Sequence, residues 1–171
     1  MPELKYCPLC ARALTLQEKS GRERWACSDD NCGFVFWDNP LPVVAGIVEY
    51  EGKIVLTRNT WWPEGWFGLV TGFLEKDESP EEGMLREMEE EIGLKGEIVE
   101  FMGNYPFFRK NELIIVFHVQ AYGEIKLGDE IAEIKQVPIA KARPWNSPTG
   151  EALGQWLARR GIFNEPIVRI R

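Results

Sequence analysis

Residues Gly72–Leu94 read GFLEKDESPEEGMLREMEEEIGL, and the fold follows from how this stretch behaves. From Glu75 to Glu91 there are nine carboxylates and only two cations, Lys76 and Arg86. Ser79 can accept a hydrogen bond from an orphan helix N–H, Pro80 suits the first helical position, and Glu82 can reach back to complete a capping box. The pattern predicts a helix that begins at Ser79 and is ended by Gly93. Met84, Leu85, Met88 and Ile92 form its apolar stripe, while Glu87, Glu90 and Glu91, at i, i+3 and i+4, share the neighbouring face. Most charge runs are solvated faces. Three carboxylates side by side on one rigid helix also suit a hard divalent cation, whose remaining waters a phosphate oxygen can replace. The stretch therefore reads as a metal site for phosphate chemistry.

The same residues resemble the Nudix box, G-x5-E-x7-R-E-U-x-E-E-x-G-U with U apolar. They match it at Gly72, Glu78, Arg86, Glu87, Met88, Glu90, Glu91, Gly93 and Leu94. The resemblance implies an α+β fold, a Nudix α/β/α sandwich with a mixed sheet. It implies that Glu87, Glu90 and Glu91 are catalytic ligands of Mg²⁺ or Mn²⁺, with the Gly72 carbonyl as a further ligand. Arg86 is expected on the substrate side as the structural partner of Glu78, and Phe73 is expected to stack on a purine. Relatives place a base or metal-binding glutamate before the strand that follows the long buried one. Asp129-Glu130-Ile131-Ala132-Glu133 lies there, with Glu130 the first choice and Glu133 the second.

All four cysteines precede position 33, as Cys7-x2-Cys10 and Cys27-x4-Cys32 separated by sixteen residues. Two close pairs joined by a short loop can converge on a tetrahedral Zn²⁺, and using all four leaves no open position for catalysis. A structural zinc ribbon over 1–38 is expected, preceding a Nudix hydrolase domain over 39–171. Some thirty residues bury little surface, so metal binding should supply much of the ribbon's folding energy. Ala11 stands where a glycine often follows the first knuckle.

The chain has 171 residues, 44 % of them hydrophobic, with no long uncharged apolar run. Met1-Pro2-Glu3-Leu4-Lys5 has no apolar signal region, so a cytoplasmic, non-membrane protein is expected. A net charge of −7 disfavours a broad grip on nucleic acid, whereas a small anionic substrate can bind if cations supply local positive charge. Phe34–Pro42 reads as a connector. Val43–Tyr50 and Lys53–Thr57 read as a hairpin around Glu51-Gly52, and Trp66-Phe67 as the start of the strand entering the box. Glu97–Met102, Leu113–Tyr122 and Glu133–Ile139 read as strands, and a last helix runs from Pro148 or Thr149 to Arg160. His118, the single histidine, sits in a buried strand and reads as structural. Trp61, Trp62 and Trp66 offer either core mass or a stacking platform for a base.

A four-Cys ribbon before the box is similar to the arrangement of NADH pyrophosphatases and of zinc-ribbon FAD or ADP-ribose pyrophosphatases. That similarity implies hydrolysis of the pyrophosphate in a nucleoside diphosphate linked to another moiety, releasing a nucleoside monophosphate. It also implies a homodimer and a small dinucleotide or nucleoside-diphosphate substrate rather than nucleic acid. Asn104-Tyr105-Pro106-Phe107-Phe108-Arg109 keeps Pro and aromatics where the NADH subgroup carries S-Q-P-W-P-F-P, while Arg143-Pro144-Trp145-Asn146-Ser147 looks more like the FAD and ADP-ribose enzymes. Two other readings compete. One is a nucleotide-sensing regulator that binds without cleaving; the other is an RNA cap-removing enzyme that uses the locally basic ribbon.

Overall fold

The structure is a computed structural model that describes residues 4–168. Met1-Pro2-Glu3, the start of the segment read above for targeting, lie outside the described residues. Two compact units divide the chain, Met1–Asn39 and Pro40–Arg171. Among the described residues no helix is long and apolar enough to cross a membrane.

The first unit is built on an antiparallel hairpin of β1 (Leu14–Lys19) and β2 (Arg22–Cys27). Ser20 and Gly21 turn it with φ of 53° and 74°, the mirror-image turn whose twist matches the flanking strands. Its small core holds Cys7, Leu14 and Cys27, with Trp25, Cys32 and Phe34 packed against them.

The second unit contains β3 (Leu41–Tyr50), β4 (Lys53–Asn59), β5 (Val70–Phe73), α1 (Pro80–Ile92), β6 (Lys95–Phe107), β7 (Glu112–Tyr122), β8 (Ile131–Pro138) and α2 (Pro148–Ala158). The sheet runs β6-β7-β3-β4-β8, with β5 also paired to β3. β3 and β7 are parallel and the other pairs antiparallel, so the sheet is mixed.

Alternation along β3 divides the core. Val43, Ala45 and Ile47 join Leu153, Trp156 and Leu157 of α2 on one face. Val44 and Val48 join Met84, Met88 and Ile92 of α1 on the other, completing the α/β/α sandwich. Each fully buried Met or Leu contributes about 1.5–3 kcal/mol, so both helices are held by packing more than by propensity. Gly46 lets α1 come close, since a Cβ there would lie 2.8 Å from Met84 Cε. His118 is buried, its Nε2 is 3.0 Å from Glu49 Oε2, and its ring lies 5.1 Å from that of Trp156. It is a core residue of β7.

Several strand boundaries differ from the sequence expectations. β3 starts at Leu41 and includes Pro42, because parallel pairing with β7 reaches Glu112 and a proline is tolerated near a strand start. The strand entering the box starts at Val70 rather than Trp66. The Trp62 ring covers Gly68, where a Cβ would meet it at 2.8 Å, and Gly68 makes one bridge to Thr57 before the ladder with β3 begins. β6 runs from Lys95 to Phe107, well beyond Glu97–Met102, because β7 pairs along its length across two register shifts. β8 begins two residues early, at Ile131.

Candidate functional site

Local chemistry sets the frame of α1. The Ser79 hydroxyl accepts from Glu82 N at 3.2 Å, and Glu82 Oε2 accepts from Ser79 N at 2.8 Å, a complete capping box. Gly93 ends the helix with φ of 71°. The chain then returns over that end: Lys126 N donates to Ile92 O and Gly128 N to Glu91 O, both at 2.9 Å. Only glycine fits at 128, where a Cβ would fall 2.2 Å from the Glu90 carbonyl oxygen. Thr60 N donates to Glu130 O at 2.9 Å, so Glu130 is anchored from β4's end as well.

Arg86 is the hub of the acidic face. Its Nε donates to Glu78 Oε2 at 3.0 Å and its Nη2 to Glu78 Oε1 at 2.8 Å, a two-pronged pair. That guanidinium, with the Glu75 N–H, holds the Glu78 carboxyl down at about 2. Nη2 also donates to the Phe73 carbonyl at 3.1 Å, tying the loop to the helix. Nη1 donates to Glu87 at 2.8 Å and Glu90 at 2.9 Å, links that the Glu78 pairing alone did not anticipate.

Glu91 is different. It is only 7 % exposed, and its Oε2 has no hydrogen-bond partner among the described residues. Burial pushes it up to about 8, aided by the charges of Glu87 and Glu130, although the Thr71 backbone and Thr57 hydroxyl pull it down by hydrogen bonding. Burial also raises Glu87, against the opposing pull of Arg86. The Glu87 carboxylate occupies the bare face of Gly72, where a Cβ would fall 1.8 Å from Glu87 Cδ. One arginine shared among several acids, plus an orphaned buried carboxylate oxygen, is an arrangement that suits a divalent cation. The carboxylates are not drawn together as tightly as the four thiols, whose ligand atoms lie within 4.8 Å of one another. Arg86 Nη1 bridges Glu87 and Glu90.

These groups border a cleft of about 1540 Å³ that also includes Glu130, Phe73, Trp61, Trp62 and Trp66. Phe73 is 56 % exposed and Trp61 65 %, leaving ring faces available for stacking. Glu133 does not border it; Arg58 Nε holds that carboxylate at 3.3 Å. The sequence reading missed Asn59, Arg109, Lys110 and Trp145, all of which border the cleft. Arg109 and Lys110 lie over the Phe107 ring at 6.0 and 5.6 Å, and their one signal was the aromatic Asn104–Arg109 stretch.

In the first unit, Cys7 Sγ is 3.6 Å from Cys32 Sγ, and Cys10 Sγ is 3.4 Å from Cys27 Sγ. These separations are too long for disulfides and near the spacing of about 3.8 Å that a tetrahedron with Zn–S bonds of about 2.3 Å requires. Leu9 N and Asp29 N each donate to a thiol sulfur at 3.4 Å, closing two knuckles. Ala11 adopts φ of 60°, which explains why a glycine is usual there. The four thiols fit Zn²⁺ and leave no open ligand position.

The NUDIX domain family model matches residues 40–157. The NAD-capped RNA hydrolase NudC of Mycobacterium bovis (strain BCG / Pasteur 1173P2) is 41% identical over 102 residues, covering 58% of this chain and 32% of the relative. The protein of the same name from Pseudomonas putida (strain GB-1) is 25% identical over 175 residues, covering 97% and 60%. The chain thus spans between a third and three-fifths of the length of these curated relatives. Among solved structures, a NUDIX hydrolase from Nitrosomonas europaea superposes with a TM-score of 0.78 at 24% identity, over 96% of this chain and 97% of that one. A UDP-X diphosphatase gives 0.58 at 24%, over 77% and 68%. At these identities the structures speak for the fold, while the match over 40–157 carries the assignment: the chain belongs to the Nudix domain family.

Proposed function

We propose that the protein is a Nudix pyrophosphohydrolase that cleaves the diphosphate of a nucleoside diphosphate joined to another moiety, releasing a nucleoside monophosphate. The observation that carries this reading is the buried, unpartnered Glu91 carboxylate oxygen beside Glu87 and Glu130 at the cleft. Glu87, Glu90 and Glu91 would hold Mg²⁺ or Mn²⁺, with the Gly72 carbonyl adjoining. When bound, such cations neutralise diphosphate oxygens and make a water a better nucleophile.

The chain's own residues do the rest. Arg86 fixes Glu87 and Glu90 and ties the Phe73 loop to α1. Glu130, whose backbone carbonyl accepts from Thr60 N and whose charge helps raise Glu91, would take a proton from the attacking water. Phe73 and Trp61 offer faces to a base. Zn²⁺ in the four-Cys unit stabilises and takes no part in the reaction.

The reading includes a cytoplasmic homodimer, and sedimentation checks the assembly. A non-cleaving sensor is disfavoured because it has no need of the full carboxylate set. Capped RNA is the second substrate to test, because the curated relatives are named for it. A net charge of −7 argues for recognition of the cap over a broad RNA grip.

The test is product-resolved hydrolysis of FAD, NADH, ADP-ribose, diadenosine polyphosphates and NAD-capped RNA with Mg²⁺, for wild type and Glu90→Gln. Nucleoside monophosphate release that falls by about a hundredfold or more in the variant is expected. No turnover by the wild type, or full turnover by the variant, overturns the proposal.

A further inference from the structure

We propose that Arg109, on the turn between β6 and β7, binds a third phosphate of the substrate, carried on the nucleoside ribose outside the diphosphate that is cut. The inference rests on the pyrophosphohydrolase reading and deepens it by naming a substrate class, nucleoside diphosphates that bear a ribose phosphate.

Among the described residues, the cations that border the cleft are Arg86, Arg109 and Lys110. Arg86 is committed to Glu78, Glu87 and Glu90. Lys110 Nζ lies 3.7 Å from Glu112 Oε1. Arg109 pairs with no carboxylate of the described residues, and its one contact is the Phe107 ring at 6.0 Å. Carboxylates dominate this cleft, from Glu75 through Glu91 on one side to Glu112, Asp129 and Glu130 on others. A guanidinium left unpaired in such surroundings is open to an anion that the ligand brings, and its planar fork suits phosphate.

Strand register sets its distance from the reaction centre. Val43 pairs with Phe73 on one side and Ile114 on the other, so β5 and β7 are two strand spacings apart, about 10 Å. The turn that carries Arg109 lies beyond Glu112, further along β7's side. Cations held by α1 would neutralise the diphosphate beside Gly72, and the rings of Phe73 and Trp61 offer no charge. A phosphate on the ribose is the part of a nucleotide that neither serves. The next residue, Phe108, is 88 % exposed. A bare ring beside an arginine is the pairing that holds a phosphate followed by a base. A 2′- or 3′-phosphate monoester would use Arg109 alone, whereas an RNA strand joined through the ribose would add its next base to Phe108.

The test uses the full chain with Mg²⁺ and two matched pairs: NADPH with NADH, and NAD joined through its adenosine 3′-oxygen to a dinucleotide with free NAD. For wild type, kcat/KM is expected to be about tenfold higher for the phosphate-bearing member of at least one pair, the low end for a hydrogen bond to a charged group on an exposed turn. Arg109→Gln should bring that ratio to about one by lowering the phosphate-bearing member, and Arg109→Lys should keep part of it. Raising the salt concentration should shrink the wild-type ratio and leave that of Arg109→Gln unchanged. A preference for the RNA-linked substrate that falls in Phe108→Ala identifies a strand; a preference for NADPH that Phe108→Ala leaves intact identifies a monoester. A wild-type ratio near one in both pairs overturns the inference, as does a ratio unchanged in Arg109→Gln. An equal loss for both members of a pair would place the contact on the shared nucleotide and also overturn it. If wild type hydrolyses no member of either pair nor any other diphosphate of the panel, the pyrophosphohydrolase reading falls first and this contact falls with it.

Discussion

Gly72→Ala is a single-methyl perturbation whose effect can be worked out from distances. The added Cβ would fall 1.8 Å from Glu87 Cδ and 2.0 Å from Oε1, whereas ordinary contact begins near 3.4 Å. The Glu87 carboxylate must therefore retreat by about 1.6 Å, the difference between those two distances. It is the far end of a flexible side chain, so it moves before the backbone does. Gly72 pairs with Val44 in a regular ladder and is not among the glycines with positive φ, so alanine meets no backbone strain there. Global stability should stay close to wild type. Function should not, because a misplacement of about 1 Å at a catalytic group can cost about a hundredfold. The assay pairs kcat for the best substrate of the panel with a urea melt. Loss of about a hundredfold in kcat at an unchanged midpoint is expected. Turnover within about threefold of wild type would refute the claim that Glu87 must lie against the bare face of Gly72.

Three further outcomes follow from the same geometry. Removing metal from the four-Cys unit with a zinc chelator, or making Cys27→Ser, should release about one zinc per chain and abolish protease resistance within residues 1–39, leaving the second unit's melt in place. Retained resistance would count against a metal-held ribbon. Ala11→Gly should hold or raise the ribbon's stability by up to about 1 kcal/mol, because Ala11 adopts a left-handed φ of 60°; a clear loss would contradict this. In divalent-free buffer, folded Glu91 keeps its proton up to about 8, while the unfolded chain loses it near the ordinary value of 4.5. The stabilisation is full below pH 4.5 and is lost as pH rises through 8, about 5 kcal/mol at about 1.4 kcal/mol per pH unit. Glu91→Gln should remove that decline from the denaturant-derived stability curve, and parallel curves for the two proteins would refute the shift.

Helix α1 was legible in the sequence because its signals are local. Ser79, Glu82 and Gly93 act within one helical turn of their own positions, and the structure shows the capping box and left-handed cap they predict. The extent of β6 was not legible, because Lys95 and Phe107 are strand residues through their partners Tyr122 and Glu112, and two register shifts interrupt the alternation that marks a strand. The placement of Glu87, Glu90 and Glu91 on one face followed from helical spacing. The binding of Arg86 to Glu90 is an i,i+4 contact that helical spacing allows, whereas the isolation of Glu91 depends on burial of the C-terminal turn of α1, over which the Lys126–Gly128 segment returns. Burial of that kind comes from distant chain segments. Asn59 gave no signal for the same reason: an asparagine at a strand end reads as a turn residue until its burial is known.

The central claim is that the carboxylates of α1 exist to hold divalent cations at the cleft. Equilibrium binding of Mn²⁺ to zinc-loaded wild type and Glu91→Gln, read by the free-ion paramagnetic signal, tests it without any assay of turnover. At least one Mn²⁺ per wild-type chain is expected, with affinity in the variant lower by more than about tenfold, the minimum seen even for outer partners of metal sites. Equal Mn²⁺ binding by both proteins, or none by wild type, would contradict it.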